Sequence, residues 1–176
     1  MGLVYLKSLL YLGGMNKTVD PHITYYTPYS SLGLATKKFI ADRTLVWCEQ
    51  HLPLHHCGFP PDYKFRHTDV GRSANYSSDY HTITLSTTEI KDVQDMIRCI
   101  LHEWCHSFQD LSSYDLHKAD DPKYYWNHPL EKAARRCEVV WYAVWTQLKH
   151  ELGVPPTPSE SLVLNLNKFY REILGF

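Results

Sequence analysis

Apolar side chains recur along this chain at two different periods, and the period changes at a few well-marked places. Leu34, Phe39, Ile40, Leu45, Val46 and Leu52 fit an amphipathic helix over 34–52. The stretch LPLHHCGFPPDY that follows is punctuated by prolines and a glycine and predicts a loop. YKFRHTDV then alternates, GRSANYSSDY is polar and turn-like, and HTITLST alternates again. Ile83 and Leu85 share one face there, Thr82 and Thr84 the other, so residues 63–86 predict two strands, arranged antiparallel. Ser86 and Glu89 have capping-box spacing, which starts a helix directly after the second strand. Val93, Met96, Ile97, Ile100, Leu101, Trp104 and Phe108 continue it at intervals of three and four, to about residue 110. Residues 112–127 are polar and aromatic, with Asp120, Asp121 and Pro122 as breakers. A long helix is expected from Pro129, a good first-turn residue, to Leu152, where Gly153 stops it. A last helix over 159–174 carries Leu162, Leu166, Phe169 and Ile173 on one stripe. A short sheet with several helices predicts an α+β fold.

Length and composition narrow the classes. The 176 residues suit one domain, 1–176, with enough chain to bury a core unaided. A net charge of −1 gives no footprint for nucleic acid, and no basic run marks a membrane surface. The opening MGLVYLKSLLYLGG is interrupted by Lys7, lacks a charged start and a small-residue cleavage site, and is too short to span a bilayer. It is expected to form a first helix or strand, with Met15 as an alternative start. Five cysteines, an odd number with no C-x-x-C pair, signal neither a disulfide framework nor a cysteine zinc knuckle. A reducing, cytoplasmic setting is the expectation.

The chemistry concentrates in CILHEWCHSFQD, residues 99–110. His102 and His106 are four apart on a predicted helix, so both imidazoles project from one face. Two rigidly placed nitrogens make half of a tetrahedral zinc site. Glu103 stands one position round the helix, where it can reach a metal-bound water without ligating the metal. A catalytic site needs a third protein ligand. Gln109 and Ser112 stand where an extended motif would place a glycine and a third histidine. The remaining candidates are Glu131, His117 and His128. Glu131 is favoured because it falls in the first turn of the long helix, from which a carboxylate can project at the metal helix if the two pack across each other. Glu138, seven residues on, lies along the same face and could hydrogen-bond a histidine ligand. Tyr124 and Tyr125 lie between the metal helix and Glu131, where either could donate to an oxyanion.

HEWCH (102–106) followed by HPLEKAA (128–134) resembles the zincin metallopeptidases, specifically the gluzincin type. The match covers residues 63–145, within a motif-bearing core of 63–152. The resemblance implies a zincin-like α+β domain with one zinc per chain. His102, His106 and a helix glutamate mapping onto Glu131 would hold that zinc, with Ala134 a turn later. Glu103 would be general base in hydrolysis of a peptide or protein substrate. It also implies that YHTITLS is the edge strand that holds extended substrate, through His81, Thr82, Ile83, Thr84 and Leu85. The N-E-x-x-S-D form of the second motif is absent. A SprT-like arrangement, with His117 as third ligand, is the alternative within zincins. The alternative from another class is a catalytically inactive zincin-like module serving as a binding or structural part of an assembly.

Overall fold

The computed structural model describes residues 19–53, 58–67, 71–115, 118, 121–155 and 157–159. Its regular elements are α1 (Leu34–His51), β1 (Asp62–Arg66), β2 (Ala74–Ser77), β3 (Thr82–Ser86), α2 (Val93–Ser107), α3 (Pro122–Asn127), α4 (Pro129–Cys137) and α5 (Trp141–Glu151). Short 3-10 turns lie at Leu111–Ser113 and Glu138–Val140. The fold is mixed α+β. The expected opening element, the expected helix over 159–174 and His117 lie outside the described residues, apart from its first residue, Ser159. Among the described residues no helix is long and apolar enough to cross a membrane.

Helix α2 is the hub. Its apolar stripe, Val93, Met96, Ile97, Ile100, Leu101 and Trp104, is buried. It packs against α1, the sheet and α5 in one core, which also takes in Trp47, Ile83, Leu85 and Leu148. Trp104 is wholly enclosed and satisfies its indole by donating to the Pro53 carbonyl at 3.0 Å. On another face, Cys105 meets Ala134 and Cys137, and this smaller cluster fastens α4 to α2. Being packed on several sides, α2 buries its polar residues His102 and Glu103 along with its apolar ones.

Three expectations change. Helix α2 begins at Val93, not after Ser86. Ser86 Oγ does accept from the Glu89 N–H at 3.1 Å, as a capping box requires, but Ser86 ends β3 and the bond closes a turn. Asp92 is the working cap, accepting from the Asp95 N–H at 2.8 Å. The polar run read as a turn contains a strand, β2, so the sheet has three strands in the order β1-β3-β2. β3 runs antiparallel to β2, with Tyr76 opposite Ile83, but parallel to β1, with Tyr63 opposite Ile83. The long helix over 129–152 is divided at Glu138–Val140, where the backbone tightens into a 3-10 turn between α4 and α5.

Helix α1 keeps its expected span but turns another face inward. Thr36, Ile40, Ala41, Thr44, Trp47 and Cys48 are buried, whereas Leu34 is exposed. The indole of Trp47 dominates the apolar area available to α1 and fixes which side faces the core.

Candidate metal centre

Three side chains converge between α2 and α4. His102 Nε2 lies 3.1 Å from His106 Nε2 and 3.1 Å from Glu131 Oε2, and His106 Nε2 lies 3.6 Å from Glu131 Oε1. Zinc bound at about 2.0–2.2 Å with tetrahedral angles separates neighbouring ligand atoms by about 3.3–3.6 Å. Two of the observed separations fall just short of that range and the third lies at its upper end, with a different Glu131 oxygen facing each histidine, so the group is close to the size of one face of a tetrahedron around a small cation. All three residues are enclosed, and the group could hold a metal ion.

Local structure explains the convergence. The i, i+4 spacing on α2 stacks the two imidazoles on one face, with ring centroids 4.8 Å apart. Pro129 fixes the first turn of α4, and His128 caps it, its Nδ1 accepting from the Leu130 N–H at 3.3 Å. Glu131 is thereby aimed across the helix pair at 3% exposure. Glu138 turns back from the 3-10 segment. Its Oε1 accepts from His102 at 2.9 Å, and its Oε2 accepts from Arg98 at 2.8 Å. A carboxylate only accepts, so His102 carries a proton on Nδ1 there, and without an ion it carries a second on Nε2, which faces Glu131 Oε2.

The electrostatics favour a cation. Burial works against a charged His102, yet the Glu131 and Glu138 carboxylates carry its pKa up to about 10. Burial alone would raise Glu131, but the hydrogen bond from His102 and the nearby imidazole of His106 hold it well below the usual carboxylate range. Glu138 is likewise lowered by His102 and Arg98 against the effect of burial. Without an ion, a proton on His102 supplies the positive charge that the carboxylates require.

Glu103 is 7% exposed and stands outside the His-His-Glu group. Burial raises its pKa, partly offset by the neighbouring imidazoles and by the Tyr76 backbone N–H that donates to it. Tyr76 belongs to β2, which leans on α2. A cavity of about 580 Å³ opens beside His106, between Tyr76 and Ser78 on one side and the chain from Ser107 to Ser112 on the other.

Other expected site residues fall in different places. His128 is occupied as the helix cap and meets Tyr114 edge-to-face and Tyr124 at a tilt. Tyr124 is turned away, its hydroxyl accepting from the Asp115 N–H at 2.9 Å. Tyr125 faces the centre: burial and the charges of Glu131 and Glu103 push its phenol well above the ordinary value. Tyr114, which carries no sequence signal, also directs its hydroxyl at Glu131. Residues 81–85 are not an edge. Thr82–Leu85 lie in β3, paired on both sides, and His81 sits in the preceding turn. The His81 backbone is left-handed, at φ 44°, and its ring bridges the Tyr76 hydroxyl at 2.7 Å and the Phe59 carbonyl at 3.0 Å. The edge strand beside α2 is β2.

No protein-family model, curated protein or solved structure matches this chain.

Proposed function

We propose that this protein is a zincin-type, zinc-dependent peptidase in which His102, His106 and Glu131 hold the ion and Glu103 is the general base. The observation that carries this reading is Glu103, a buried carboxylate beside the His-His-Glu group but not part of it. A purely structural ion site has no use for such a residue, and desolvating a carboxylate is costly. Proton transfer from water gives it a use.

A zinc ion in this group would supply Lewis-acid polarisation of a carbonyl and acidify a water for attack. Glu103, its basicity raised by burial, takes the proton of the attacking water as the C–O bond forms. It returns that proton to the amine nitrogen as the C–N bond breaks. The Tyr125 phenol, beside Glu131 and Glu103, would donate to the carbonyl oxygen as negative charge builds there. Substrate would add as an extended strand along β2, whose backbone already reaches Glu103 through the Tyr76 N–H. One of its side chains would enter the cavity beside His106.

The test is digestion of a mixed peptide library by zinc-loaded protein, read by mass spectrometry, beside the Glu103→Gln variant. Hydrolysis should fall by about 10²–10⁴ in the variant while its zinc content stays near one per chain. Cleavage that persists in the variant refutes Glu103 as the base. Zinc-loaded parent protein that cleaves no peptide leaves a non-catalytic ion site, the binding or structural module.

A further inference from the structure

Gln109 follows α2 and makes three side-chain contacts. Its Nε2 donates to the Leu130 carbonyl at 3.2 Å and to Cys105 Sγ at 3.3 Å, and its Oε1 lies 2.8 Å from His106 Nδ1. An amide group has two N–H donors and one carbonyl oxygen. The Leu130 carbonyl can only accept, so the nitrogen must face it and the oxygen must face His106. A carbonyl oxygen cannot donate; His106 therefore carries its proton on Nδ1 and leaves Nε2 bare, 3.1 Å from His102 Nε2 and 3.6 Å from Glu131 Oε1.

We propose that Gln109 is the positioning residue of this centre: it sets the tautomer and ring angle of His106 and ties that ligand to α4, one residue before Glu131. His102 receives the same service from Glu138, but through a carboxylate that is itself shared with Arg98. The two imidazoles thus have different orienting partners, one charged and one neutral. The neutral one also couples the two ligand-bearing helices, because a single amide touches His106 and Cys105 on α2 and Leu130 on α4. Neither an ion-independent surface glutamine nor a simple helix cap would need all three contacts. The proposal rests on the metal-centre reading and is independent of peptidase activity.

Two variants separate orientation from simple bracing. Gln109→Leu removes the acceptor and both donors, whereas Gln109→Glu keeps an acceptor for His106 and loses the donors. Zinc affinity is read by competition with a chromophoric chelator. Loss of an orienting partner weakens metal binding about 10–100-fold, the fall expected for Gln109→Leu, while Gln109→Glu should stay within about threefold of the parent. Equal losses in the two variants, or no loss in Gln109→Leu, overturn the proposal. Nitrogen-15 spectra of histidine-labelled, zinc-loaded parent protein give a second readout that needs no variant to fold. His106 should be protonated at Nδ1 and metal-bound at Nε2; the reverse assignment overturns it. Parent protein that takes up no zinc at all overturns the metal reading itself, a result distinct from zinc binding that ignores Gln109.

Discussion

Removing Glu131 is the sharpest perturbation of the centre. Its two oxygens face the two histidine nitrogens at 3.1 and 3.6 Å, so Glu131→Ala would take away one of the three proposed ligands. Losing a group that merely orients a ligand costs up to about 100-fold in metal affinity, so losing a ligand should cost more than about 100-fold. That is at least about 2.7 kcal/mol. The consequence for stability follows from mass action. With free zinc at about 1,000 times the parent dissociation constant, binding stabilises the fold by about 4.1 kcal/mol, and at about 10 times the constant by about 1.4 kcal/mol. At about 2–4 °C per kcal/mol for a chain of this size, chelation should lower the parent Tm by about 8–16 °C. The same chelation should lower the Glu131→Ala Tm by no more than about 3–6 °C. Reading each protein with and without chelator cancels the separate cost of unpairing His102 in the metal-free state. Calorimetric scans and a chelator competition give both quantities. Equal chelation shifts in the two proteins, or a Glu131→Ala affinity within about threefold of the parent, would refute the ligand assignment, since no true ligand is that dispensable. His117→Ala should leave both quantities unchanged, and the opposite ranking would favour the SprT-like arrangement.

Glu138→Leu should weaken zinc binding about 10–100-fold, because His102 loses the acceptor that orients it; chelator competition reads this directly, and an unchanged affinity would dismiss Glu138 from the centre. In metal-free protein, His102 is raised from 6.5 to about 10. Its stabilising contribution is therefore complete below about pH 6.5 and is lost as pH rises toward 10. Glu131, lowered, contributes above its unfolded value and is lost only in strong acid. Chelated protein should accordingly lose Tm between pH 7 and 10 more steeply than zinc-loaded protein. Zinc uptake near neutral pH should release about one proton, measurable by calorimetry in buffers of different ionisation enthalpy; no release would contradict a protonated His102. Tyr125→Phe should lower kcat by about 10²–10³ with zinc retained, and Tyr124→Phe should not, since of these two tyrosines it is Tyr125 that lies beside the carboxylates; matched kinetics on a cleaved peptide decide between them.

The parts legible in the sequence were those governed by local periodicity. His102, Glu103 and His106 sit on one helix, so their relation is fixed by the pitch of α2 alone. Glu131 could be singled out because Pro129 and the following apolar pattern marked a helix start. Its aim at the histidines depends on how α4 crosses α2, which rests on the small contact of Cys105, Ala134 and Cys137. Strand β2 was hidden for a physical reason. In Ala-Asn-Tyr-Ser the alternation is only four residues long, with Ala74 and Tyr76 toward the core, and it is lost among the flanking polar and turn-forming residues; backbone pairing with β3 holds it in the sheet. The same pairing made β3 central, so the open edge expected at 81–85 lies one strand away, at β2. Parallel pairing of β1 with β3 was equally invisible, since alternation is the same whichever way two strands run. Tyr114 and Gln109 are brought in by the chain just past α2, where no period guides inference.

The enclosure of the ligands has a kinetic side. His102 and Glu131 are only 8% and 3% exposed, and α4 lies against α2 through the thiol cluster. An ion held there would be approached from the His106 side, where the cavity opens. A small chelator could enter by that route, whereas a bulky one must wait for α4 to lift from α2. Stripping rates should rise with concentration for the small chelator but reach a ceiling for the bulky one, and that ceiling would measure how often the two helices part.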